Sequence, residues 1–326
     1  MHRYPPEHNA GAEWMLHETL LYLREAGWDV QVLATQQRER ATFEGVDVTP
    51  GPNGRDARKW YGWCDVALTH LDATRLACTW AWRGARPLVH LVHNDAQLHH
   101  HEVKSHEAQL VVHNSEWVSA SYRAFAAPSI IVRPPVDPHR VSAPRGDRVT
   151  LVNLHEEKGA MLFWRLALTN PGRPFLAVRG GYGHQIVMSP PPMSVDIIDN
   201  TPAMRDVYAR TRVLVVPSSY ESWGRVAVEA AASGIPIIAS RTPGLVECMT
   251  SPTFGECAIF ADAARLDEWR AALDRLDDSE EYAHWSALAS RRAEELDRLR
   301  GTDLAELDSR LRQLLVGRLA LCDQIP

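Results

Sequence analysis

The chain has 326 residues, of which 45% are hydrophobic and 11 are tryptophan, so it is long enough for two globular domains with apolar cores. A formal net charge of -6 argues against a nucleic-acid partner held by phosphate neutralisation. The five cysteines are odd in number and lack metal-ligand spacing, and neither a signal peptide nor a membrane-spanning stretch is recognisable. These properties predict a cytoplasmic location, in which any membrane contact is peripheral.

Short apolar strands alternate with amphipathic helices along the first half, which is typical of a parallel doubly wound sheet. The predicted strands cover residues 29–34, 66–69, 88–92, 110–112 and 130–132. The predicted helices cover residues 12–26, 73–83 and 116–125, and Gly27 follows the first of them as a C-terminal cap. The polar, proline-containing segment 134–148 interrupts the alternation and indicates a domain boundary.

The alternation resumes in the second half with a fresh strand. Strands are predicted at residues 149–154, 175–178, 195–198, 213–216 and 235–239, and a helix at 160–168. From residue 262 to about residue 319 the sequence is charged and helical, without a strand pattern. The fold class is therefore predicted to be α/β.

Two carboxylates flank the turn that follows the predicted strand 213–216. Glu221 lies in the loop and Glu229 lies about one and a half turns into the next helix, with Gly224 between them. In an open α/β sheet small molecules bind beyond the carboxyl ends of the strands, where a helix N-terminus favours phosphate. Because carboxylates repel phosphate, both glutamates should accept hydrogen bonds from hydroxyl groups. A nucleotide diphosphate sugar fits this pattern, whereas the plain alternative is two surface glutamates.

The segment 213–247 resembles the retaining glycosyltransferases of family 4, which have the GT-B fold and an E-x7-E signature. The resemblance implies two Rossmann-like, doubly wound parallel-sheet domains facing across a cleft, with a helical C-terminal segment. It implies that Glu221 contacts hydroxyls of the donor sugar and that Glu229 binds the ribose. The loop residues that would hold the sugar and diphosphate are Ser222, Trp223, Gly224, Arg225 and Val226.

The same resemblance suggests three parts of the chain. Residues 1–140 would form an acceptor-side domain, residues 141–310 a donor-binding domain, and residues 311–326 a helix that packs back on the first domain. Family members begin with a strand before a glycine-rich loop that Gly11 resembles, but few residues precede that loop here. We therefore expect the first strand to be missing or truncated.

Lys158 and Gly159 resemble the family's R-x4-K-G motif, in which an arginine and a lysine hold the donor diphosphate. The arginine position is Asn153 here, so a cation is absent from the pattern. Asn153 would donate a weaker hydrogen bond to phosphate. Arg225 or Arg179 would supply the missing charge, although a solvent-facing role for Arg225 is equally consistent with the sequence.

A glycine-rich loop after the strand 175–178 contains Gly181 and Tyr182. Glycines there would allow the backbone to approach a nucleotide, and a tight turn requires the same residues. The family places this loop near the donor, together with residues 196–200, which hold the base through backbone groups. We expect Gly181 and Tyr182 to bind the donor.

Histidines are concentrated between residues 90 and 106. His93, at the end of the strand 88–92, resembles the family's motif histidine beside the donor sugar, with Asp95 as a weaker neighbour; a local loop hydrogen bond is the alternative. His99, His100, His101 and His106 lack a recognised metal-ligand spacing, so no metal is expected.

We thus expect a retaining, metal-independent glycosyltransferase without a cofactor, using a nucleotide diphosphate sugar and an unknown hydroxyl acceptor. A UDP-sugar is favoured as donor, with a GDP-sugar as the alternative. His93, Lys158 and Glu221 are the expected catalytic residues. A GT-B sugar-nucleotide epimerase, a weakly active or non-catalytic nucleotide-sugar binding protein, and a histidine-rich metal-binding module are the rival interpretations.

Overall fold

The computed structural model describes residues 1, 3–51, 54–95, 108–122 and 127–322, with side chains described outside 54–57, 72 and 317–322. The chain divides into two compact units, Met1–Pro135 with Arg300–Pro326, and Val136–Leu299. The sequence instead suggested boundaries after residues 140 and 310. Among the described residues, no helix is both long and apolar enough to cross a membrane.

The first unit contains helices and short strands in alternation. Its elements are α1 Gly11–Glu25, β1 Gln31–Ala34, β2 Ala41–Phe43, β3 Val46–Pro50, α2 Gly54–Trp63, β4 Ala67–His70, α3 Thr74–Arg83, β5 Leu88–Val92, β6 Leu110–His113, α4 Glu116–Ser121 and β7 Ser129–Ile131. α1 buries Leu16, Leu20 and Leu23 on one face and ends before Gly27, whose φ of 92° is the left-handed conformation of a helix cap.

The strands of the first unit form two separate sheets. One has the order β1-β3-β2, in which β1 and β3 are parallel and β2 is antiparallel to β3. The other has the order β4-β5-β6-β7 and is parallel throughout. The β2–β3 hairpin was not predicted, because it is short and turns at Glu44 and Gly45, which both have positive φ. From the last helix, Leu304, Leu307 and Leu311 join the apolar core of this unit.

The second unit contains one six-stranded parallel sheet with helices between its strands. Its elements are α5 Pro138–Val141, β8 Arg148–Val152, α6 Ala160–Thr169, β9 Phe175–Val178, β10 Val195–Ile198, α7 Met204–Tyr208, β11 Thr211–Val216, α8 Arg225–Ala231, β12 Ile237–Ala239, α9 Pro243–Met249, β13 Thr250–Ser251, β14 Gly255–Glu256, β15 Ile259–Phe260, α10 Leu266–Arg275 and the first part of α11 Ser279–Cys322, whose residues from Arg300 onward belong to the first unit. The sheet order is β10-β9-β8-β11-β12-β15, and apolar clusters lie on both of its faces. β13 to β15 were not predicted, because two-residue strands leave no periodic pattern.

The strand order of the second unit creates a topological switch point. From β8 the chain proceeds outward through β9 and β10, and then returns to β11 on the other side of β8. The loops after β8 and β11 therefore leave the same edge of the sheet side by side, and a crevice forms beyond the carboxyl ends of the two strands.

Candidate functional site

The two loops at the switch point are held together by close backbone contacts. The amide of Ser219 donates to the carbonyl of Glu157 over 2.8 Å. Gly159 has a φ of 80°, and a Cβ at this position would lie 2.5 Å from the carbonyl oxygen of Pro217. Only glycine meets both conditions, because a side chain would be strained and would collide with backbone. Glycine at position 159 is therefore what allows the two loops to approach each other.

Lys158 and Glu221, which were predicted to serve the same ligand, form an ion pair across these loops. Lys158 Nζ lies 2.6 Å from Glu221 Oε1, and Ser218 Oγ donates to the same oxygen over 3.0 Å. The side chains are 19% and 13% exposed. Burial alone would lower the pKa of Lys158, but the charge and hydrogen bond of Glu221 outweigh it, so the pKa lies above its ordinary value. Lys158 is therefore a permanent cation beside the crevice.

The loop after β11 is shaped by two further glycines. Gly224 has a φ of 109°, and a Cβ there would lie 2.7 Å from Leu245 Cδ2. Gly244 of α9 approaches so closely that a Cβ would lie 2.3 Å from the carbonyl oxygen of Glu221. Trp223 is buried in the apolar core, whereas Ser222, Arg225 and Val226 are partly exposed. The predicted donor loop is thus a rigid turn whose tryptophan side chain serves packing.

Glu229 lies in α8 and is 4% exposed, with protein groups on both carboxylate oxygens. Arg225 Nε donates to Oε1 over 2.6 Å, and Tyr208 OH donates to Oε2 over 2.7 Å. Burial, followed by the charge of Glu229, raises the pKa of Tyr208 well above its ordinary value, so its hydroxyl remains a donor. Arg225 therefore contacts a buried carboxylate rather than only solvent, and Glu229 is held in one orientation.

Asn153 belongs to a hydrogen-bonded network that joins the loop after β8 to the glycine loop after β9. Its Oδ1 accepts from the amide of His155 over 3.1 Å and from Gln185 Nε2 over 3.0 Å. Gln185 Oε1 in turn accepts from the amides of Leu154 and Gly180. At Gly180 a Cβ would lie 2.1 Å from Asn153 Oδ1, so the two loops touch. Asn153 therefore connects the loop after β8 to the glycine loop after β9.

The exposed part of the glycine loop carries Gly181 and Tyr182. Tyr182 is 44% exposed, and its ring centroid lies 6.0 Å from that of His155. Gln185 Nε2 donates to the carbonyl of Tyr182 over 2.8 Å, so the same glutamine supports the loop. An exposed aromatic ring at the edge of a crevice offers a surface on which a planar base can stack.

The remaining predicted residues, Gly11 and His93, belong to the first unit. Gly11 begins α1 and is exposed, and no atom lies within 4 Å of a Cβ built there. His93 is 8% exposed, and its Nε2 lies 3.0 Å from Nδ1 of His70 at the end of β4. His93 therefore contacts a second buried histidine, and its role beside a donor sugar stays a prediction.

Metal-ligand geometry is absent from the part of the chain that the structure describes, since no three histidine, cysteine, aspartate or glutamate side chains converge there. The predicted segment from His99 to His106 lies outside the described residues. Asp95 is described, and its carbonyl oxygen accepts a hydrogen bond from Tyr122 OH over 3.2 Å.

Three residues that support the site were not identified from the sequence. Gln185 joins two loops, Ser218 contacts Glu221, and Tyr208 contacts Glu229. Ser218 lies two residues after the end of β11, and a polar residue at the carboxyl end of a parallel strand is a signal for a binding site that the sequence offered. Gln185 and Tyr208 carry no motif, because their partners lie 32 and 21 residues away in the chain.

Comparison with known proteins gives a family match within the second unit and matches to curated relatives over short segments. Residues 192–291 match the family described as glycosyl transferases group 1. Over 87 residues, the chain is 39% identical to a D-inositol 3-phosphate glycosyltransferase of Rhodococcus opacus, covering 27% of this chain and 18% of that protein. Over 89 residues, it is 42% identical to an MMP alpha-(1->4)-mannosyltransferase of Mycolicibacterium hassiacum, covering 26% and 21%. The aligned segments span less than a quarter of these relatives.

Solved structures resemble the chain over nearly its whole length. A sucrose-phosphate synthase from Thermosynechococcus elongatus gives a TM-score of 0.75 at 16% identity, covering 94% of each chain. HepE of Anabaena, in complex with UDP-glucose, gives a TM-score of 0.74 at 15% identity and covers 95% of this chain and 96% of its own. The chain therefore has the GT-B fold, with two Rossmann-like units and a helical C-terminal segment, and residues 192–291 match the glycosyl transferases group 1 family.

Proposed function

We propose that this protein is a retaining, metal-independent glycosyltransferase of family 4. It transfers a sugar from a nucleotide diphosphate sugar to a hydroxyl acceptor. One observation carries the proposal: Lys158, which lies outside the matched segment 192–291, forms an ion pair with Glu221, which lies within it. Two motifs read separately from the sequence thus meet at one crevice, where a phosphate-binding cation and a hydroxyl-binding carboxylate serve one ligand.

The first role of this arrangement is to stabilise the leaving diphosphate. When the bond between the anomeric carbon and the diphosphate breaks, negative charge accumulates on the departing oxygen. Lys158 supplies a fixed positive charge there, because its ammonium group is held by Glu221 and stays protonated. A preorganised cation in a partly dry crevice stabilises such charge without reorganisation at the moment of reaction.

The second role is positioning of the donor. Glu221 has a second carboxylate oxygen that can accept from sugar hydroxyls, and the backbone amides of residues 222–226 would donate to the sugar and the diphosphate. Glu229, oriented by Arg225 and Tyr208, retains acceptor capacity because each carboxylate oxygen has two lone pairs. Glu229 would receive the ribose hydroxyls, and the exposed ring of Tyr182 would lie near the base.

Retention follows from attack on the face from which the diphosphate leaves. The acceptor oxygen forms its bond to the anomeric carbon, the bond to the diphosphate oxygen breaks, and that oxygen takes the acceptor proton. This step needs no enzymic nucleophile and no metal, and positioning supplies much of the rate. Gly11 and His93 are proposed to contribute from the first unit, the former near the phosphates and the latter near the sugar.

A UDP-sugar is the favoured donor, with a GDP-sugar as the alternative. The structure of HepE in complex with UDP-glucose makes UDP-glucose the first compound to test. A second function has one observation in its favour: Asn153 stands where the family motif has arginine, and its Oδ1 accepts hydrogen bonds within the protein. With one cation fewer, a nucleotide-sugar binding protein with little turnover is the alternative.

The proposal is tested first by donor binding. Thermal stabilisation by UDP, GDP, UDP-glucose and GDP-mannose identifies the base, and calorimetry then gives the affinity. Glu229→Gln should weaken donor binding about tenfold or more, since a carboxylate accepts hydroxyl hydrogen bonds better than an amide. Glu280→Gln, at an exposed glutamate of the same unit, is the matched control. Unchanged affinity in the Glu229 variant would contradict its assigned role.

The reaction itself is then tested with the identified donor. Slow donor hydrolysis or transfer to a hydroxyl acceptor supports an enzyme, whereas binding without either supports the binding-protein alternative. Interconversion of the donor without an acceptor would indicate an epimerase. The anomeric configuration of the product should match that of the donor, and an inverted product refutes retention. Loss of activity in EDTA would refute metal independence.

A further inference from the structure

The donor loop, residues 221–226, packs against the short helix α9. Gly244 of this helix lies so close to the loop that a Cβ there would collide with loop backbone atoms. From the same helix, Leu245 and Cys248 lie against Gly224, where a Cβ would come 2.7 Å from Leu245 Cδ2 and 3.1 Å from Cys248 Sγ. The space that the loop can occupy is therefore set by the position of α9.

The carboxyl end of α9 is bound by a side chain from α11. The helix ends at Met249, and the last carbonyls of a helix have no amide partner within it. Arg292 supplies donors to two of them. Its Nε donates to the carbonyl of Cys248 over 2.8 Å, and its Nη2 donates to the carbonyl of Glu247 over 3.0 Å. Because both bonds come from one rigid planar group, they fix the direction of the helix end as well as its position.

The charge of Arg292 is compensated inside the protein. Arg292 is 4% exposed, and its Nη1 donates to Glu295 Oε2 over 3.0 Å. Ser251, which follows α9 in β13, donates from Oγ to Glu295 Oε1 over 2.9 Å. A buried guanidinium requires such a partner, since an unpaired charge would be costly there. One turn of α11 thus binds both the end of α9 and the strand that follows it.

A second arginine of the same unit makes a comparable contact away from the donor loop. Arg212 lies at the start of β11, whereas the donor loop follows the end of that strand. Its Nη2 donates over 3.1 Å to the carbonyl of Leu276, at the end of α10. That helix packs against α6. Arg212 therefore closes a helix end with the same chemistry as Arg292, but on a helix in a different part of the unit.

We propose that Arg292 is a positioning residue of the donor site, which acts by holding α9 against the donor loop. The inference rests on the proposed function, because its effect is on binding of a nucleotide diphosphate sugar. With α9 fixed, Gly244 and Leu245 keep the loop in the shape in which Glu221 and the amides of residues 222–226 receive the donor. Without the two carbonyl bonds the loop is less ordered, and the donor must order it on binding. That cost is common to the ground state and the transition state, so it raises the donor KM and leaves kcat unchanged.

The test compares Arg292→Lys with two control variants by hydrogen exchange without ligand. Lysine keeps the charge beside Glu295 but does not reproduce the planar fork that reaches both carbonyls. We expect exchange in the peptide that contains residues 220–226 to quicken about tenfold in this variant. Glu295→Gln keeps both carbonyl bonds of Arg292, and Arg212→Lys loses a helix-end contact elsewhere, so neither control should change exchange in that peptide.

Steady-state kinetics separate positioning from a loss of folded protein. The donor is UDP-glucose, or GDP-mannose if the binding screen selects the other base. Arg292→Lys should raise the donor KM about tenfold and keep kcat within about twofold of the wild-type value. A variant with a smaller folded fraction would instead show a lower kcat and an unchanged KM. That result, or loop exchange and KM equal to those of Arg212→Lys, would overturn the proposal.

A measurement on the unaltered protein covers the case in which Arg292→Lys does not fold. Saturating donor should slow hydrogen exchange in the peptide that contains residues 243–249 of α9, as well as in the donor loop. Slower exchange in the loop alone would overturn the proposal. If neither UDP-glucose nor GDP-mannose binds or turns over, the proposed function fails, whereas loop exchange in Arg292→Lys without ligand still decides whether Arg292 holds the loop.

Discussion

The ion pair of Lys158 and Glu221 provides the sharpest test of the site, because it joins two loops that are remote in the chain. We consider a double-mutant cycle with Lys158→Met and Glu221→Gln. The charged atoms are 2.6 Å apart, and both side chains are less than one-fifth exposed. In the Lys158 variant, Glu221 Oε1 keeps the hydrogen bond from Ser218 Oγ but loses the positive charge beside it. The negative charge of Glu221 is then mostly buried without a positive charge beside it.

The magnitude follows from burial and distance. Two unit charges 4 Å apart attract by about 4 kcal/mol at an effective dielectric constant of 20, and breaking a fully buried pair costs about 3–5 kcal/mol. Residual exposure and the Ser218 contact reduce this penalty. We therefore expect each single variant to lose about 2–3 kcal/mol of unfolding free energy, and the cycle to give a coupling of about 2 kcal/mol. The double variant should be more stable than the sum of the single losses implies.

Urea unfolding followed by tryptophan fluorescence measures all four proteins of the cycle. The matched control is the pair Arg241 and Glu256 in the same unit, with its charged atoms 2.8 Å apart but side chains 58% and 45% exposed. Screening by solvent should leave that control with a coupling within about 0–1 kcal/mol. A Lys158–Glu221 coupling no larger than that of the control would refute the account of a buried, rigid pair.

The pH dependence supplies an independent check on the same pair. The pKa of folded Lys158 lies above the ordinary value of 10.5. Its contribution to stability is therefore fully present below pH 10.5 and is lost as the pH rises through the folded-state pKa. The stability difference between wild type and Lys158→Met should be constant in neutral solution and shrink only in strong alkali. In the donor-turnover assay, the same variant should lose roughly 10²–10³-fold in kcat.

Three further perturbations test other parts of the structure. Burial lowers the pKa of His113 to about 4, so the stability that comes from keeping this side chain neutral is fully present above pH 6.5 and is lost as the pH falls toward 4. Between neutral pH and pH 4 the wild type should therefore lose roughly 3 kcal/mol of unfolding free energy through His113, and His113→Asn should not show this loss in urea melts. Gly159→Ala should cost about 2 kcal/mol or more and weaken nucleotide binding, because its φ is positive and a Cβ meets the Pro217 carbonyl. Tyr208→Phe should cost about 1–3 kcal/mol and weaken donor binding, because Glu229 loses a buried donor.

Each of these variants has a control in the second unit. His284 is exposed, and His284→Asn is the matched histidine control in the same urea melts. At Gly172 a Cβ would meet no atom within 4 Å, so Gly172→Ala should be close to neutral. Tyr282 donates to the backbone carbonyl of Arg212 rather than to a carboxylate, so Tyr282→Phe should leave donor affinity unchanged. A variant that behaves like its control would contradict the corresponding explanation.

The helices and central strands were largely predictable, because each is encoded by a local apolar pattern. The predicted strands 88–92, 175–178 and 195–198 have the bounds that the structure gives to β5, β9 and β10. β5 and β9 are buried at every position, as interior strands of a parallel sheet are, whereas β10 is an edge strand in which only Val195 is buried. The β2–β3 hairpin and β13 to β15 were missed, since short edge strands depend on partners that the local pattern does not name.

The candidate site was predictable only as separate motifs. Glu221, Gly224 and Glu229 could be identified from a strand-to-helix turn, and Lys158 from another turn 63 residues earlier. The contact between Lys158 and Glu221 depends on β8 lying beside β11, which is a property of sheet order. The pairing of Glu229 with Tyr208, and of Asn153 with Gln185, likewise arises from packing of segments that carry no shared pattern.

The amino-acid sequence by itself determined the α/β class, the alternation of elements and the residue types that suit a nucleotide sugar. Periodicity and turn chemistry act over a few residues, so a single sequence displays them directly. Tertiary structure alone decided the split of the first unit into two sheets and the ion pair at the switch point. These features depend on which strands lie side by side, and that choice is made by burial and hydrogen bonding across the whole domain.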